Sequence, residues 1–236
     1  MKKKRIFIAC DTTSVKKIKK IIKETQNSKL SFGYKFGLQF LNSVNGRKFI
    51  SNLKNKITFG DYKLADIPNT CMSAIKSVRD LKLNYITIHI SSGFEALKAA
   101  KKVSGKTKLI GVTILTSLDE KSLKEIGFEK SVKELVLHQA RLASKAKLDA
   151  IVCSPHEIKI VKKVFKKEII TPGIRLPGDS KGDQKRVMTP KQAFQNGATA
   201  LVMGRSLTGN IKKNIQKLIR ELKDRKSTRL NSSHWP

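Results

Sequence analysis

Acidic residues are scarce in this chain of 236: 18 Asp and Glu stand against 50 Lys and Arg, a formal net charge of +32. So basic a balance invites a nucleic-acid reading. Aromatics, however, are only 6% of the chain, with no RNA-binding aromatic signature and no basic arm. The lysines recur along the whole length at helix-exposed positions, as in VKKIKKIIKE and IKIVKKVFKK. That is the pattern of a solvated surface, and it argues against a nucleic-acid footprint. Such a field still attracts phosphorylated, anionic substrates.

Long apolar runs are missing too. None reaches the ~18 residues that a membrane span requires. The opening MKKKRIFIACD offers only IFIAC before Asp11, too short for the apolar core of a signal peptide, and it reads as a first strand. Cysteine is sparse: Cys10, Cys71 and Cys153 are odd in number and far apart. This excludes a disulfide framework and points to buried free thiols in a reducing cytoplasm. The histidines, His89, His138, His156 and His234, show no metal-ligand spacing, so no structural zinc is expected.

What is present is alternation. Eight short apolar runs read as strands: RIFIAC, SFGYKFG, ITFGDYK, NYITIHI, TKLIGVTIL, LDAIVCS, EIITPG and TALVMG. Helical stripes lie between them, as at Val15, Ile18, Ile21 and Ile22, at Val132, Leu135, Val136 and Ala143, and at Ile211, Ile215, Leu218, Ile219 and Leu222. Thr189-Pro190 predicts a capped helix start, Gly197 its C-cap, and Asn210 the start of the last helix. A doubly wound sheet would carry a Gly-rich phosphate loop after its first strand, but that turn reads ACDTTSV. The expectation is a single (β/α)8 TIM barrel over residues 1–223, in the α/β class. The tail 224–236 is polar and aperiodic and is expected to be disordered or non-native.

Such barrels place their sites at the C-terminal strand ends. Those ends carry Asp11, Lys35, Asp61 with Lys63, His89, Thr116, Ser154, Arg175, and Gly204 with Arg205. Asp61 and Lys63, two apart on one strand, should share a face. Asp66 lies just beyond, free to reach back or across to a neighbour. A Schiff-base lysine needs a depressed pKa, whereas flanking carboxylates favour the ammonium. Lys63 is therefore expected to be a charged proton donor. The long Gly/Pro/polar loop 171–190, with Arg175 and Gln184, reads as a lid. Together with Gly204 and Arg205 after strand eight, it marks the habitual phosphate position of this fold.

DYKLADIPNT, GVTILTS, TPGIR, GDQKRVMTP and VMGRSLT together resemble the orotidine 5′-phosphate decarboxylases in their common bacterial form, from about Arg5 to Thr208. The resemblance implies conversion of orotidine monophosphate to UMP and carbon dioxide without metal or organic cofactor, as the last step of pyrimidine nucleotide synthesis. It also implies that Asp11 and Lys35 contact the ribose, with Lys35 also part of an alternating Lys-Asp-Lys-Asp catalytic array, that Asp61 sits beside the departing carboxylate, and that Lys63 protonates the pyrimidine carbon. Asp66 would enter the partner's site in a homodimer, and Thr116 would lie near the base. Gln184, Arg205 and the Gly204 backbone would hold the phosphate, with Arg175 anchoring the loop. Ser92 and Ser206 depart from the family's usual glycine and proline. The rival readings are a magnesium-dependent sugar-phosphate lyase of the same superfamily and a basic nucleic-acid-binding barrel.

Overall fold

Eight parallel strands close into one barrel in sequence order, with β1 paired to β8 through Arg5↔Ala200 and to β2 through Arg5↔Ser31. The strands are β1 Arg5–Ala9, β2 Ser31–Phe36, β3 Thr58–Leu64, β4 Tyr85–His89, β5 Lys108–Val112, β6 Ala150–Val152, β7 Glu168–Thr171 and β8 Ala200–Met203. All eight fall inside the runs expected as strands, apart from the added Leu64, which carries β3 one residue further. The computed structural model describes residues 4–26, 28–179 and 187–223. Gln184 and the tail 224–236 lie outside them.

The helices are α1 Val15–Thr25, α2 Leu38–Leu41, α3 Gly46–Ser51, α4 Pro68–Ser77, α5 Phe94–Val103, α6 Glu120–Glu125, α7 Val132–Lys145, α8 Ile158–Val164, α9 Pro190–Asn196, α10 Arg205–Thr208 and α11 Ile211–Lys223. The apolar stripes form because lysines occupy the remaining faces. Ile18, Ile21 and Ile22 of α1 are buried against the barrel, as are Ile211, Ile215 and Leu218 of α11. Thr189 caps α9 through a capping box with Gln192, Pro190 takes the first turn, and Gly197 closes the helix at φ 112°. Asn210 accepts from the Lys213 amide at 3.3 Å and so caps α11.

Inside the barrel, large and small side chains complement one another. Phe7 packs edge-on against Phe59 and Tyr85 at centroid distances of 5.1 and 5.2 Å, while Ala150 and Ala200 leave them room. Gly33 is part of that fit, because a Cβ there would meet the Phe7 ring at 2.8 Å. At the N-terminal floor, Tyr85 accepts from Arg5 and donates to Glu168 at 3.0 Å, and Lys108 pairs with the same carboxylate. Four strands are thereby tied at the end opposite the site, where polar residues serve stability. All three cysteines are free and buried, and burial pushes the Cys10 thiol up to about 12.

Candidate active site

The register that pairs Ala9 with Lys35 and Lys35 with Phe59 brings the ends of β1, β2 and β3 to one level. Lys35 Nζ lies 3.5 Å from Asp11 Oδ1 and 3.2 Å from Asp61 Oδ2. Lys63 Nζ donates to that same Asp61 oxygen at 2.8 Å. Asp11, Lys35, Asp61 and Lys63 thus form one alternating line of charge. Its centre is dry, since the Lys35 and Asp61 side chains are only 12% and 11% exposed, against 33% for Lys63 and 63% for Asp11.

Burial alone would push the Asp61 carboxyl up, but the Lys35 and Lys63 ammonium groups outweigh it and hold it below the ordinary carboxylate value. Burial likewise works against the Lys35 ammonium, but Asp61 and Asp11 raise it above the usual lysine value. The two stability contributions therefore bracket neutrality. That of Asp61 is present above the unfolded carboxylate value, about 3.9, and is lost as pH falls through the lower folded one. That of Lys35 is present below about 10.4 and is lost as pH rises through the raised one. His89, half-buried at the end of β4, is lowered by burial and then by Lys63, which keeps its imidazole neutral at pH 7.

The shared face of Asp61 and Lys63 does not come from regular strand alternation. Gly60 pairs with Ile86 and Leu64 with Ile88, so Asp61, Tyr62 and Lys63 oppose the single residue Thr87. Lys63 takes φ 50°, a left-handed conformation that costs a non-glycine residue roughly 1–2 kcal/mol. Thr87, fully buried, accepts from the Lys63 amide at 2.8 Å and donates to Asp61 Oδ1 at 3.1 Å. In the sequence Thr87 reads as one more residue of an apolar strand. A lone hydroxyl in YITIH, facing the acid-lysine strand, was the available signal. Gly37 carries no such signal in the sequence but lies against the charged line. A Cβ there would lie 3.5 Å from both Asp11 Oδ1 and Lys35 Nζ.

Asp66 stands apart from this line. It is exposed, its carboxylate accepts from the next amide, Ile67, at 2.7 Å, and among the described residues it makes no ion pair. Among the described residues, then, Asp61 is the one aspartate that touches Lys63. Asp66 sits in the turn leading to Pro68, beyond the end of β3.

The sequence profile of the "Orotidine 5′-phosphate decarboxylase / HUMPS family" matches residues 4–217. The chain belongs to that family. It is 40% identical over 224 residues to the orotidine 5′-phosphate decarboxylase of Prochlorococcus marinus strain MIT 9215, covering 89% of this chain and 91% of that protein. It is 40% identical over 217 residues to the enzyme of Fusobacterium nucleatum, covering 88% and 90%. The crystal structure of orotidine 5′-phosphate decarboxylase from Lactobacillus acidophilus superposes with a TM-score of 0.79 at 28% identity, over 94% of this chain and all of that one.

In this decarboxylase-family barrel the remaining strand-end residues divide. Arg205 opens α10 directly after Gly204, where a Cβ would approach Asp11 Oδ2 at 3.8 Å. The β8 end therefore adjoins the charged line. A cavity of about 670 Å³ opens beside Asp11 and Arg205, between α1 and the start of α11, off the Lys35–Asp61–Lys63 axis. The base of the 171–190 loop is zipped: the Arg175 amide donates to Met188 O at 3.1 Å and the Met188 amide to Gly173 O at 3.2 Å. Thr116 sits half-buried in a turn four residues past the end of β5. Ser154 is fully buried and serves its own turn, its amide donating to Glu157 and its hydroxyl accepting from the His156 amide. Both departures from the family pattern leave a buried hydroxyl, Ser92 Oγ and Ser206 Oγ, without a hydrogen-bond partner among the described residues.

Proposed function

We propose that this chain decarboxylates orotidine 5′-phosphate to UMP and carbon dioxide, with Lys63 as proton donor. The observation that carries the reading is the line Asp11–Lys35–Asp61–Lys63 at the C-terminal strand ends, buried at its centre. The names of the relatives at 40% identity agree with it.

In the proposed reaction the bond between the pyrimidine carbon and the carboxylate carbon breaks. Its electron pair stays on the ring carbon, where little delocalisation is available. The Lys63 ammonium, fixed by Asp61, stabilises that charge without reorganising. An N–H bond of Lys63 then breaks as the new C–H bond forms, and the neutral amine regains its proton from water. Asp61 faces the departing carboxylate and turns their mutual repulsion into relief as carbon dioxide leaves. Lys35 and Asp11 hold the ribose hydroxyls, and Thr116 lies against the base. The phosphate is held by Arg205, the Gly204 amide and Gln184, with Arg175 fixing the base of the loop that closes over it. The chemistry requires no metal and no organic cofactor.

We further propose a homodimer in which Asp66 enters the partner's site. Its carboxylate accepts from the Ile67 amide and makes no ion pair with its own array among the described residues, and Ile67 beside it is 67% exposed. Leu38 and Leu115 add exposed apolar surface at the same end of the barrel. No described helix is long and apolar enough to cross a membrane, and the free thiols suit a cytoplasmic setting.

The test is loss of orotidine monophosphate absorbance in magnesium-free buffer, with UMP identified as product. Turnover that requires added magnesium, or no release of UMP, would sink the reading. Arg205→Ala is expected to raise KM and weaken UMP binding by roughly tenfold or more, the worth of one charged hydrogen bond, with a smaller change in kcat. Unchanged KM and unchanged UMP affinity would remove Arg205 from the phosphate site.

A further inference from the structure

Thr87 does what the ladder between β3 and β4 cannot. Between the pairs Gly60↔Ile86 and Leu64↔Ile88, three residues of β3 face one of β4, and the amide of Lys63 is left without a strand carbonyl. The Thr87 hydroxyl supplies the acceptor at 2.8 Å. The same hydroxyl has one proton to give, and it goes to Asp61 Oδ1 at 3.1 Å. The other oxygen, Asp61 Oδ2, takes the two ammonium groups of Lys35 and Lys63. One side chain therefore grips the peptide of the proton donor and, at the same time, the carboxylate that aims it.

The site gives that hydroxyl little freedom. Thr87 is 0% exposed, its β-branched side chain is stiff about χ1, and Lys63 would otherwise be held in a left-handed backbone with its amide unpaired. We propose that Thr87 is a positioning residue for decarboxylation. It fixes the Lys63 backbone and the rotation of the Asp61 carboxylate, so that the ammonium meets the pyrimidine carbon at the right place. This rests on the decarboxylase reading above and adds to it a residue that never touches substrate.

A set of three substitutions tests it. Thr87→Val keeps the shape and removes both hydrogen bonds; Thr87→Ser keeps both and loses a methyl; Thr87→Ala loses everything. Val is expected to lower kcat roughly 10- to 100-fold, as misplacement by a fraction of an ångström does, while KM and UMP affinity change by less than about threefold. Ser is expected to stay within about fivefold of the unsubstituted enzyme, although it leaves the larger void. Hydrogen exchange at the Lys63 amide, followed by NMR, should remain slow in Ser and become fast in Val. If Val fails to fold, the comparison of Ser with Ala decides, and Ser must exceed Ala by at least about tenfold in kcat.

A purely packing role predicts the reverse order, with Val the more active, and that order would overturn the assignment. So would a Val enzyme with unchanged kcat, or one whose UMP affinity falls in step with kcat. No turnover by the unsubstituted protein would remove the decarboxylase reading and this inference together. Full turnover with Ser no better than Val would remove this inference alone.

Discussion

Lys63→Ala is expected to lower kcat by roughly five orders of magnitude while the barrel stays folded. Two effects vanish together: a preorganised charge beside the reacting carbon, worth about 10²–10³, and a positioned proton donor, worth about 10²–10⁴. The fold should survive because the side chain lies at the mouth, outside the packed layers, and is 33% exposed. Asp61 is not stranded by the change. It keeps Lys35 at 3.2 Å and the Thr87 hydroxyl at 3.1 Å, so the severe penalty for an uncompensated buried charge does not arise. The left-handed φ at this position strains alanine about as much as lysine. Circular dichroism and a thermal melt check the fold, and single-turnover product analysis checks the chemistry. Activity within tenfold of the unsubstituted enzyme would overturn the proton-donor assignment.

The second large effect concerns Asp66. Lys63→Ala and Asp66→Asn are each expected to be inactive as homodimers, and mixing the two after dissociation should restore activity. If Asp66 serves the neighbouring site, a mixed dimer holds one site with both substitutions and one with neither. Random reassociation at equal amounts makes half the dimers mixed, so about a quarter of full activity should return. If Asp66 serves its own site, every site in the mixture carries one substitution and nothing returns. A monomer by light scattering, or no rescue from mixed subunits, would refute the shared site. The exposed Ile67, 67% accessible beside Asp66, is the place where subunit contact should first be sought.

The two predictions draw on different sources of information. That Lys63 is a candidate for the chemistry is legible in the sequence, because a lysine bracketed by acids at the end of a strand is a local pattern. That Asp66 does not touch that lysine within its own chain is not. The sequence places Asp66 only three residues on, and the turn toward Pro68 swings its carboxylate onto the Ile67 amide instead. Similarly, period-two alternation placed Asp61 and Lys63 together. The contact exists at 2.8 Å, but it arises through a slipped ladder and a left-handed residue. Ser154 stands at a strand end like the charged residues, and only the structure shows that it is buried and bonded within its own turn.

By itself, the sequence determined the eight strands, the apolar stripes of α1, α7 and α11, the caps of α9, the start of α11 and the end of the barrel where charge collects. These follow from periodicity and from neighbours within a turn or a strand, information that a linear reading carries intact. Only the tertiary structure decided which charges meet. Lys35 reaches Asp61 across 26 positions, Thr87 reaches Asp61 across 26 and the Lys63 amide across 24. Contacts at that separation depend on strand register, and register is set by the packing of the whole barrel, down to the space that Gly33 leaves for Phe7.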